Sequence, residues 1–172
     1  MQIRKINHVD AQSLLNFYQT NRSHLAPWEP ERDESFYTLH YWKDQIRNRF
    51  AEMEADRAVY FLSISPASEV VAVCNLTNIV RGVFQAAYMG YAVAEKYQGK
   101  GLMKALCVHV LDYAFNELKL NRVMSNYLPL NERSGKLLEA LGFEREGYAK
   151  RYLKINGHWQ DHILTSCINP QK

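Results

Sequence analysis

The fold of this chain is decided by residues 87–103, whose sequence reads Ala87-Tyr88-Met89-Gly90-Tyr91-Ala92-Val93-Ala94-Glu95-Lys96-Tyr97-Gln98-Gly99-Lys100-Gly101-Leu102-Met103. The pattern predicts a strand, a turn with two glycines, and a helix that runs to about Leu118. Helix starts carry N–H groups without intrahelical partners and the positive end of the helix dipole, so they attract anions. Gly99 and Gly101 lack Cβ atoms, so a phosphate can approach the backbone closely. The stretch therefore predicts a site for a phosphorylated ligand, with pyrophosphate favoured.

Two familiar glycine loops fit this turn poorly. A P-loop requires Gly-x-x-x-x-Gly-Lys-Ser/Thr, whereas Leu102 and Met103 follow the second glycine here. A dinucleotide-binding loop requires Gly-x-Gly-x-x-Gly, and Lys104 occupies the position of the third glycine. A tight turn without a ligand remains open as the alternative on these residues alone.

Length and composition indicate one globular domain over residues 1–172. A chain of 172 residues can bury one sizeable core, and its contents of 47% hydrophobic and 23% charged residues are ordinary. No apolar run approaches the roughly 20 residues of a membrane span, and the first residues do not resemble a signal peptide. The net charge of +3 suits a polyanionic ligand without indicating nucleic acid. We expect no membrane and no direct nucleic-acid partner.

The cysteines indicate a reducing compartment. Cys74, Cys107 and Cys167 are far apart, odd in number and without C-x-x-C spacing, so we expect free thiols and a cytoplasmic protein. Cys107 and His109 lie in the predicted long helix with no second His or Cys four residues further on. We interpret them as core or surface residues, and we expect no metal site.

Hydrophobic periodicity predicts the order of the remaining elements. Before the glycine turn we predict a strand at 2–6, a helix from an Asp10 cap to about 21, and a helix capped by Ser35 that runs to about 57. Strands follow at 59–64, 70–76 and about 84–93. After the turn we predict a helix at 101–118, a strand at 122–127, a short helix from an Asn131 cap to Gly142, and a hairpin of strands 143–155 and 158–165 joined by Asn156-Gly157.

This order predicts an α+β fold with a central mixed, mostly antiparallel sheet flanked by helices. The fourth and fifth strands are joined through the long helix and should run parallel, because a helical crossover returns the chain in the same direction. The loop Pro27-Trp28-Glu29-Pro30 cannot form a regular helix. It is either a plug in which Trp28 caps the core or a wall of a substrate pocket.

Several motifs resemble one known family. The segment 96–101 resembles the pyrophosphate loop of the GCN5-related N-acetyltransferases (GNAT), Gln/Arg-x-x-Gly-x-Gly/Ala, with Lys96 in the first position. Asn131-Glu132-Arg133-Ser134 with the segment 141–147 resembles the Asn-x-x-Ser … Leu-Gly-Phe-x-x-Glu-Gly signature of the RimJ/RimL-type N-terminal acetyltransferases. The segment 156–162 resembles the ending of that branch, and segments 27–30 and 78–82 are RimJ-like. Tyr88 replaces a glutamate that relatives closer to RimL usually carry.

This resemblance implies the GNAT acyl-CoA N-acyltransferase fold, acetyl-CoA as cofactor, and a set of site residues. The loop amides would bind the pyrophosphate, and the backbone of the fourth strand would bond the pantetheine. Asn131 would also contact the pantetheine, and Ser134 would lie near the thiol and relay a proton. The residues so assigned are Tyr91, Ala92, Val93, Gln98, Gly99, Lys100, Gly101, Leu102, Met103, Asn131 and Ser134. The alternative for the last two is an ordinary helix cap and a solvated hydroxyl.

The acceptor amine bears on the need for a base. An α-amino group has a pKa of about 7.7–8.0 and lysine about 10.4, so near pH 7.5 roughly a quarter of an α-amine is neutral. The sequence offers no obvious strong base, which favours an α-amine acceptor. Glu29 is our candidate for amine binding or proton relay, and Glu146, Tyr148 and His162 are unranked alternatives.

The resemblance implies direct transfer of acetyl from acetyl-CoA to a protein N-terminus in a ternary complex. The acceptor would be the N-terminal alanine of a small-subunit ribosomal protein, and the enzyme a monomer or weak dimer. One alternative is a small-amine acetyltransferase for a polyamine or an aminoglycoside. Another is an acyl-CoA-binding ribosome-assembly factor without catalysis.

Overall fold

The computed structural model describes residues 1–171. Its strands are β1 (Gln2–Lys5), β2 (Val59–Ile64), β3 (Val70–Val80), β4 (Ala86–Val93), β5 (Arg122–Met124), β6 (Glu144–Ile155) and β7 (His158–Ile168). They form one sheet in the order β1-β2-β3-β4-β5-β7-β6. Neighbouring strands are antiparallel except β4 and β5, which are parallel. The predicted α+β fold and its parallel pair are confirmed.

Helices cover both faces of the sheet. They are α1 (Ala11–Thr20), α2 (Arg22–Leu25), α3 (Leu39–Glu54), α4 (Leu102–Asp112) and α5 (Glu132–Ala140). One core joins α1 and α3 to the sheet and contains fully buried Leu14, Trp42 and Leu62. The other joins α4 and α5 to the opposite side and contains fully buried Leu76 and Leu106. We call these sides the α1/α3 face and the α4/α5 face.

The predicted helix from Ser35 to about residue 57 is wrong at its start. A 3₁₀ turn, Glu34–Tyr37, is capped by Asp33, whose carboxylate accepts the Phe36 N–H. Thr38 is extended (φ −118°, ψ 149°) and caps α3 by accepting the Tyr41 N–H at 3.3 Å. Two strong caps five residues apart therefore divide a segment whose apolar spacing looked continuous.

Asp10 stands before α1 as predicted, but its side chain does not cap that helix. Its carboxylate accepts hydrogen bonds from both terminal nitrogens of Arg4 at 2.7 Å and from the Asn7 N–H at 2.6 Å. A paired, nearly buried carboxylate gains more from a bidentate guanidinium than from one cap bond. Asp10 thus fastens β1 to the start of the first helix.

The hairpin predicted from Asn156-Gly157 is confirmed. Both turn residues have positive φ (45° and 78°), as a two-residue turn of the I′ type requires. The Asn156 N–H donates to the Glu29 carbonyl oxygen at 2.9 Å, so the tip of the β6–β7 hairpin holds the 27–30 loop. The last two strands therefore help to shape the α1/α3 face.

We expect Leu106→Ala to lower the free energy of unfolding by about 3 kcal/mol, because it leaves a cavity under α4. Val108→Ala on the same helix is the matched control, since Val108 is 51% exposed. It should change stability by less than about 0.5 kcal/mol. Urea unfolding of both variants measures the difference, and equal values would contradict the assigned core.

Candidate active site

The sheet opens where β4 and β5 separate. The two strands pair only at Ala86–Arg122, Ala87–Val123 and Tyr88–Met124. Beyond this point β4 continues along β3 to Val93, whereas the chain after β5 turns to β7 through the Ser125 N–H and the Thr165 carbonyl (3.1 Å). The result is a gap between β4 and β5 that connects the two faces of the sheet.

Backbone groups of β4 face this gap. Ala94 donates its N–H to Val71 on β3 at 2.9 Å, and Ser125 Oγ donates to the Met89 carbonyl on the opposite side at 2.9 Å. Because successive residues of a strand alternate in direction, the N–H groups of Tyr91 and Val93 point into the gap. Those of Ala92 point to β3. Of the three β4 residues predicted to bond a pantetheine, two therefore direct their backbone N–H groups into the gap, where a ligand can accept from them.

The glycine turn has the backbone geometry that a phosphate cradle requires. Gly99 and Gly101 have φ of 70° and 72°, and a Cβ on either would meet no atom within 4 Å. Gly101 stands directly before α4, whose first amides, at Leu102 and Met103, have no helical partner upstream. The loop therefore combines open space with convergent donors.

Two lysines and a glutamine surround this loop. Lys96 pairs with Glu69 at 3.1 Å, and the ammonium groups of Lys96 and Lys100 each lie 5.3 Å from the centre of the Tyr97 ring. Gln98 directs its side chain away from the loop: its Nε2 lies 3.0 Å from His24 Nε2 on α2, and its Oε1 accepts from Arg133 on α5. Gln98 thus joins three elements. The sequence carries no local signal for these contacts.

Asn131 and Ser134 lie at the start of α5, next to the gap. Asn131 caps the helix by accepting the Ser134 N–H at 3.2 Å, as the capping interpretation predicted. Ser134 is half-buried, and its Oγ lies 2.7 Å from the Tyr91 hydroxyl. Burial raises the pKa of Tyr91, so this phenol stays protonated and able to donate. The side chain of Tyr91 was missed by the sequence analysis, which considered only its backbone.

Glu29 lines a cavity to which Ser134 does not contribute. The cavity has a volume of about 210 Å³, and Tyr18, Arg22, Tyr37 and Asn156 also line it. Its carboxylate is 22% exposed and lies 3.9 Å from Arg32. Burial raises the pKa of Glu29, and the charge of Arg32 only partly opposes that effect. The neighbouring Trp28 is 39% exposed, which does not support its interpretation as a core plug.

The structure separates the unranked candidate bases. Glu146 pairs with Arg122, and Tyr148 donates to Asp161 at 2.8 Å. Both side chains are exposed and already have partners. His162 is 3% exposed, and its ring centre lies 5.6 Å from that of Tyr152. It is the buried member of the three.

The residues present fit acetyl-CoA. The open cradle at the glycines, the free amides of α4 and the unpaired amides of β4 supply donors for a diphosphate and an amide-bearing arm. Anions bind at such helix starts, and an extended arm can bond a free strand edge. Within residues 1–171 no group of three His, Cys, Asp or Glu side chains is arranged to hold a metal ion. The absence of a metal requirement remains a prediction.

This combination of fold and gap defines an acyltransferase of the GNAT type. Residues 1–144 match the family model described as acetyltransferase (GNAT) domain, which is more than half of the chain. The chain therefore belongs to this family and is an N-acetyltransferase. The family's fold binds acetyl-CoA or CoA.

Three relatives are similar over nearly the whole chain. Ribosomal protein uS5-alanine N-acetyltransferase of Escherichia coli (strain K12) is 43% identical over 171 residues, which are 98% of this chain and 87% of that protein. A crystal structure of ribosomal-protein-S5-alanine acetyltransferase from Vibrio fischeri shares 41% identity at a TM-score of 0.95 and covers 98% of this chain and 93% of its own. Mycobacterium smegmatis RimJ in complex with CoA-disulfide shares 28% at a TM-score of 0.92, covering 98% and 82%.

No helix within residues 1–171 has the length and apolar character needed to cross a membrane.

We expect Gly101→Ala to weaken acetyl-CoA binding about tenfold, because its Cβ would project where a phosphate approaches the loop amides. Gly82→Ala is the matched control: φ is 68° there, and a Cβ again meets nothing within 4 Å. Both variants should lose about 1–2 kcal/mol of stability from the left-handed conformation. Titration calorimetry with acetyl-CoA separates the two effects, and equal affinity in both variants would contradict the cradle.

We expect Glu29→Gln to stabilise the protein at pH 7.5. The folded-state pKa of Glu29 is raised, so its ionisation disfavours folding above that pKa, and the effect disappears when the pH falls below the ordinary glutamate value of 4.5. Glu34→Gln is the opposite case, because Arg22 lowers the pKa of Glu34. Unfolding midpoints at pH 7.5 and pH 4 test the sign. A stabilisation by Glu29→Gln that persists at pH 4 would contradict it.

Proposed function

We propose that this enzyme acetylates the N-terminal α-amino group of a protein, namely the N-terminal alanine of a small-subunit ribosomal protein, uS5. The observation that carries the proposal is the 43% identity with the Escherichia coli enzyme of that name over 98% of this chain. The protein would act in the cytoplasm as a single catalytic domain, either monomeric or weakly dimeric. Its direct partner would be a protein N-terminus and not a membrane or nucleic acid.

Acetyl-CoA supplies the acetyl group as a thioester when bound. The amides of Gln98, Gly99, Lys100, Gly101, Leu102 and Met103 would hold its diphosphate. The amides of Tyr91 and Val93, together with Asn131, would hold its pantetheine arm. An amide directed at the thioester oxygen also stabilises negative charge that develops there.

Ser134 would deliver a proton to the leaving sulphur. The Tyr91 phenol stays protonated and lies 2.7 Å from Ser134 Oγ, so it can donate to that oxygen and leave the serine proton free for another acceptor. General acid catalysis of this kind contributes about 10²–10⁴-fold to a rate. Ser134 is therefore the catalytic residue that we assign on the α4/α5 face.

Glu29 would bind the acceptor on the other side of the sheet. Its carboxylate is largely buried beside a cavity of about 210 Å³ that Tyr18 and Tyr37 also line, where an ammonium group of a peptide can replace Arg32 as its nearest cation. Such desolvated charges interact more strongly than exposed ones. We assign Glu29 to binding and positioning of the acceptor and not to proton transfer, because Ser134 does not line its cavity.

The test is acetyl transfer to peptides that carry the N-terminal sequence of uS5 and differ only at residue one, followed by mass spectrometry. We expect transfer to an unblocked N-terminal alanine and none to the same peptide with a blocked α-amine and an internal lysine. Ser134→Ala should lower kcat about 10²-fold and leave acetyl-CoA affinity within about twofold, because only the proton relay is lost.

Two outcomes would contradict the proposal. Transfer to spermidine or an aminoglycoside but to no peptide would make this a small-amine acetyltransferase. Binding of acetyl-CoA without transfer to any acceptor, including intact uS5, would favour the non-catalytic binding factor. Ser125→Ala is a control for Ser134→Ala, since Ser125 Oγ bonds the Met89 carbonyl and is buried away from solvent.

A further inference from the structure

His162 lies on the side of the sheet from which an acceptor must come. Val123 belongs to the α4/α5 core and pairs with Cys167, so Cys167 shares that face. Because side chains alternate along β7, Thr165 and Ile163 lie on the same face as Cys167. His162 therefore points to the opposite face, the α1/α3 face. The glycine loop, Tyr91 and Ser134 occupy the α4/α5 side. An amine that meets the thioester without displacing the cofactor therefore enters from the face of His162.

Open space over β4 marks this route. Ala87 and Met89 lie in the α4/α5 core, so Tyr88 and Gly90 point to the α1/α3 face. A Cβ on Gly90 would meet no atom within 4 Å, and Gly90 is exposed. It lies two residues beyond Tyr88–Met124, the last pair before β4 and β5 separate. The α1/α3 face is thus accessible at the gap itself.

The hydrogen bond of the His162 ring fixes its tautomer. Nδ1 lies 3.0 Å from the Gln160 carbonyl oxygen, which can only accept. Nδ1 must therefore carry a proton, and in the neutral ring the lone pair is on Nε2. This nitrogen is on the far side of the ring from the Gln160 carbonyl. A neutral imidazole held this way is prepared to accept a proton at Nε2.

Phenols and an amide from neighbouring strands surround the ring. The ring centre of Tyr152 on β6 lies 5.6 Å from that of His162, and Tyr88 on β4 raises the pKa of Tyr152. Asn126 donates to the Tyr152 hydroxyl at 3.3 Å and accepts the Thr165 N–H at 3.2 Å, which fixes the orientation of its amide. The titratable groups that face His162 are therefore Tyr152 and, through it, Tyr88.

We propose that His162 is a catalytic residue that accepts the proton lost by the acceptor amine, an inference that rests on the proposed function. The amine nitrogen forms a bond to the acetyl carbon, and the carbon–sulphur bond breaks. One proton passes from nitrogen to Nε2, and one reaches the sulphur through Ser134. His162 then loses its extra proton to solvent and Ser134 regains one from solvent, so the protons balance. The Nε2 lone pair of the neutral ring is the acceptor for the amine proton, because Nδ1 already donates to the Gln160 carbonyl.

The test compares three variants by their pH–rate profiles. His162→Asn keeps a donor for the Gln160 carbonyl without a titrating group, and His162→Gln places an amide near the Nε2 position. His158→Gln is the matched control, since His158 is exposed on the same strand. With the alanine peptide at pH 7 we expect both His162 variants to lose about 10²-fold in kcat, with peptide KM and acetyl-CoA affinity within about twofold. The deficit should shrink towards pH 9, where most of the acceptor is already the neutral amine and the solution itself supplies a base.

A second readout does not depend on turnover. The ¹⁵N shifts of the His162 ring in the free enzyme should place the proton on Nδ1 in the neutral state. A proton on Nε2 would overturn the proposal, and so would wild-type kcat and an unchanged acidic limb in His162→Asn. If the loss in kcat is accompanied by a lower unfolding midpoint in both His162 variants, the role of His162 is structural only.

Failure of the proposed function is distinguished by the wild-type enzyme. If it acetylates spermidine and not the peptide, the substrate assignment fails, and the His162 variants are compared on spermidine with the same expected deficit. If wild type acetylates no acceptor, both proposals fall. A deficit confined to His162→Gln with normal His162→Asn also contradicts the role of Nε2.

Discussion

The structure depends on the short parallel contact between β4 and β5. Three residue pairs hold the two halves of the sheet together, and then each strand follows its other neighbour. β4 is bound to β3 through to Val93, and the chain after β5 is bound to β7 by Ser125 and Tyr127. Neither strand can bend back without losing these antiparallel bonds. The gap is therefore a necessary result of how the seven strands are connected.

An opening in a sheet leaves backbone donors and acceptors without partners, and such groups are unfavourable unless water or a ligand satisfies them. Here these backbone groups face the gap between β4 and β5, and the two faces of the sheet that meet there carry different side chains. The α4/α5 side has a glycine turn, a helix start and the Ser134 hydroxyl. The α1/α3 side has the 27–30 loop, Tyr88 and His162. In the function that we propose, this division would let acetyl-CoA and the acceptor bind from opposite sides of the sheet.

Local sequence signals made much of the fold and part of the candidate site predictable. The parallel pair followed from the helix between two strands, and the I′ turn from Asn156-Gly157. The glycine turn and the Asn131 cap depend on residues within one short stretch. The start of α3 was predicted wrongly because apolar spacing runs across Thr38 and hid the extended residue. Contacts such as Tyr91–Ser134, Gln98–His24 and Asn156–Glu29 join residues 43, 74 and 127 positions apart. They depend on the register of the whole sheet, which no local pattern encodes.

The position of β7 has a consequence for how the chain is made. It is the last strand along the described residues, yet it lies between β5 and β6 in the interior of the sheet. During synthesis from the N-terminus, β1 to β4 can pair and bury Leu62 and Leu76 while β5 still lacks one of its neighbours. The half of the sheet that includes one edge of the gap can form only after residues 158–168 have emerged. The β5 edge of the gap should therefore be completed late in synthesis, whereas the β4 edge and the glycine turn have already emerged.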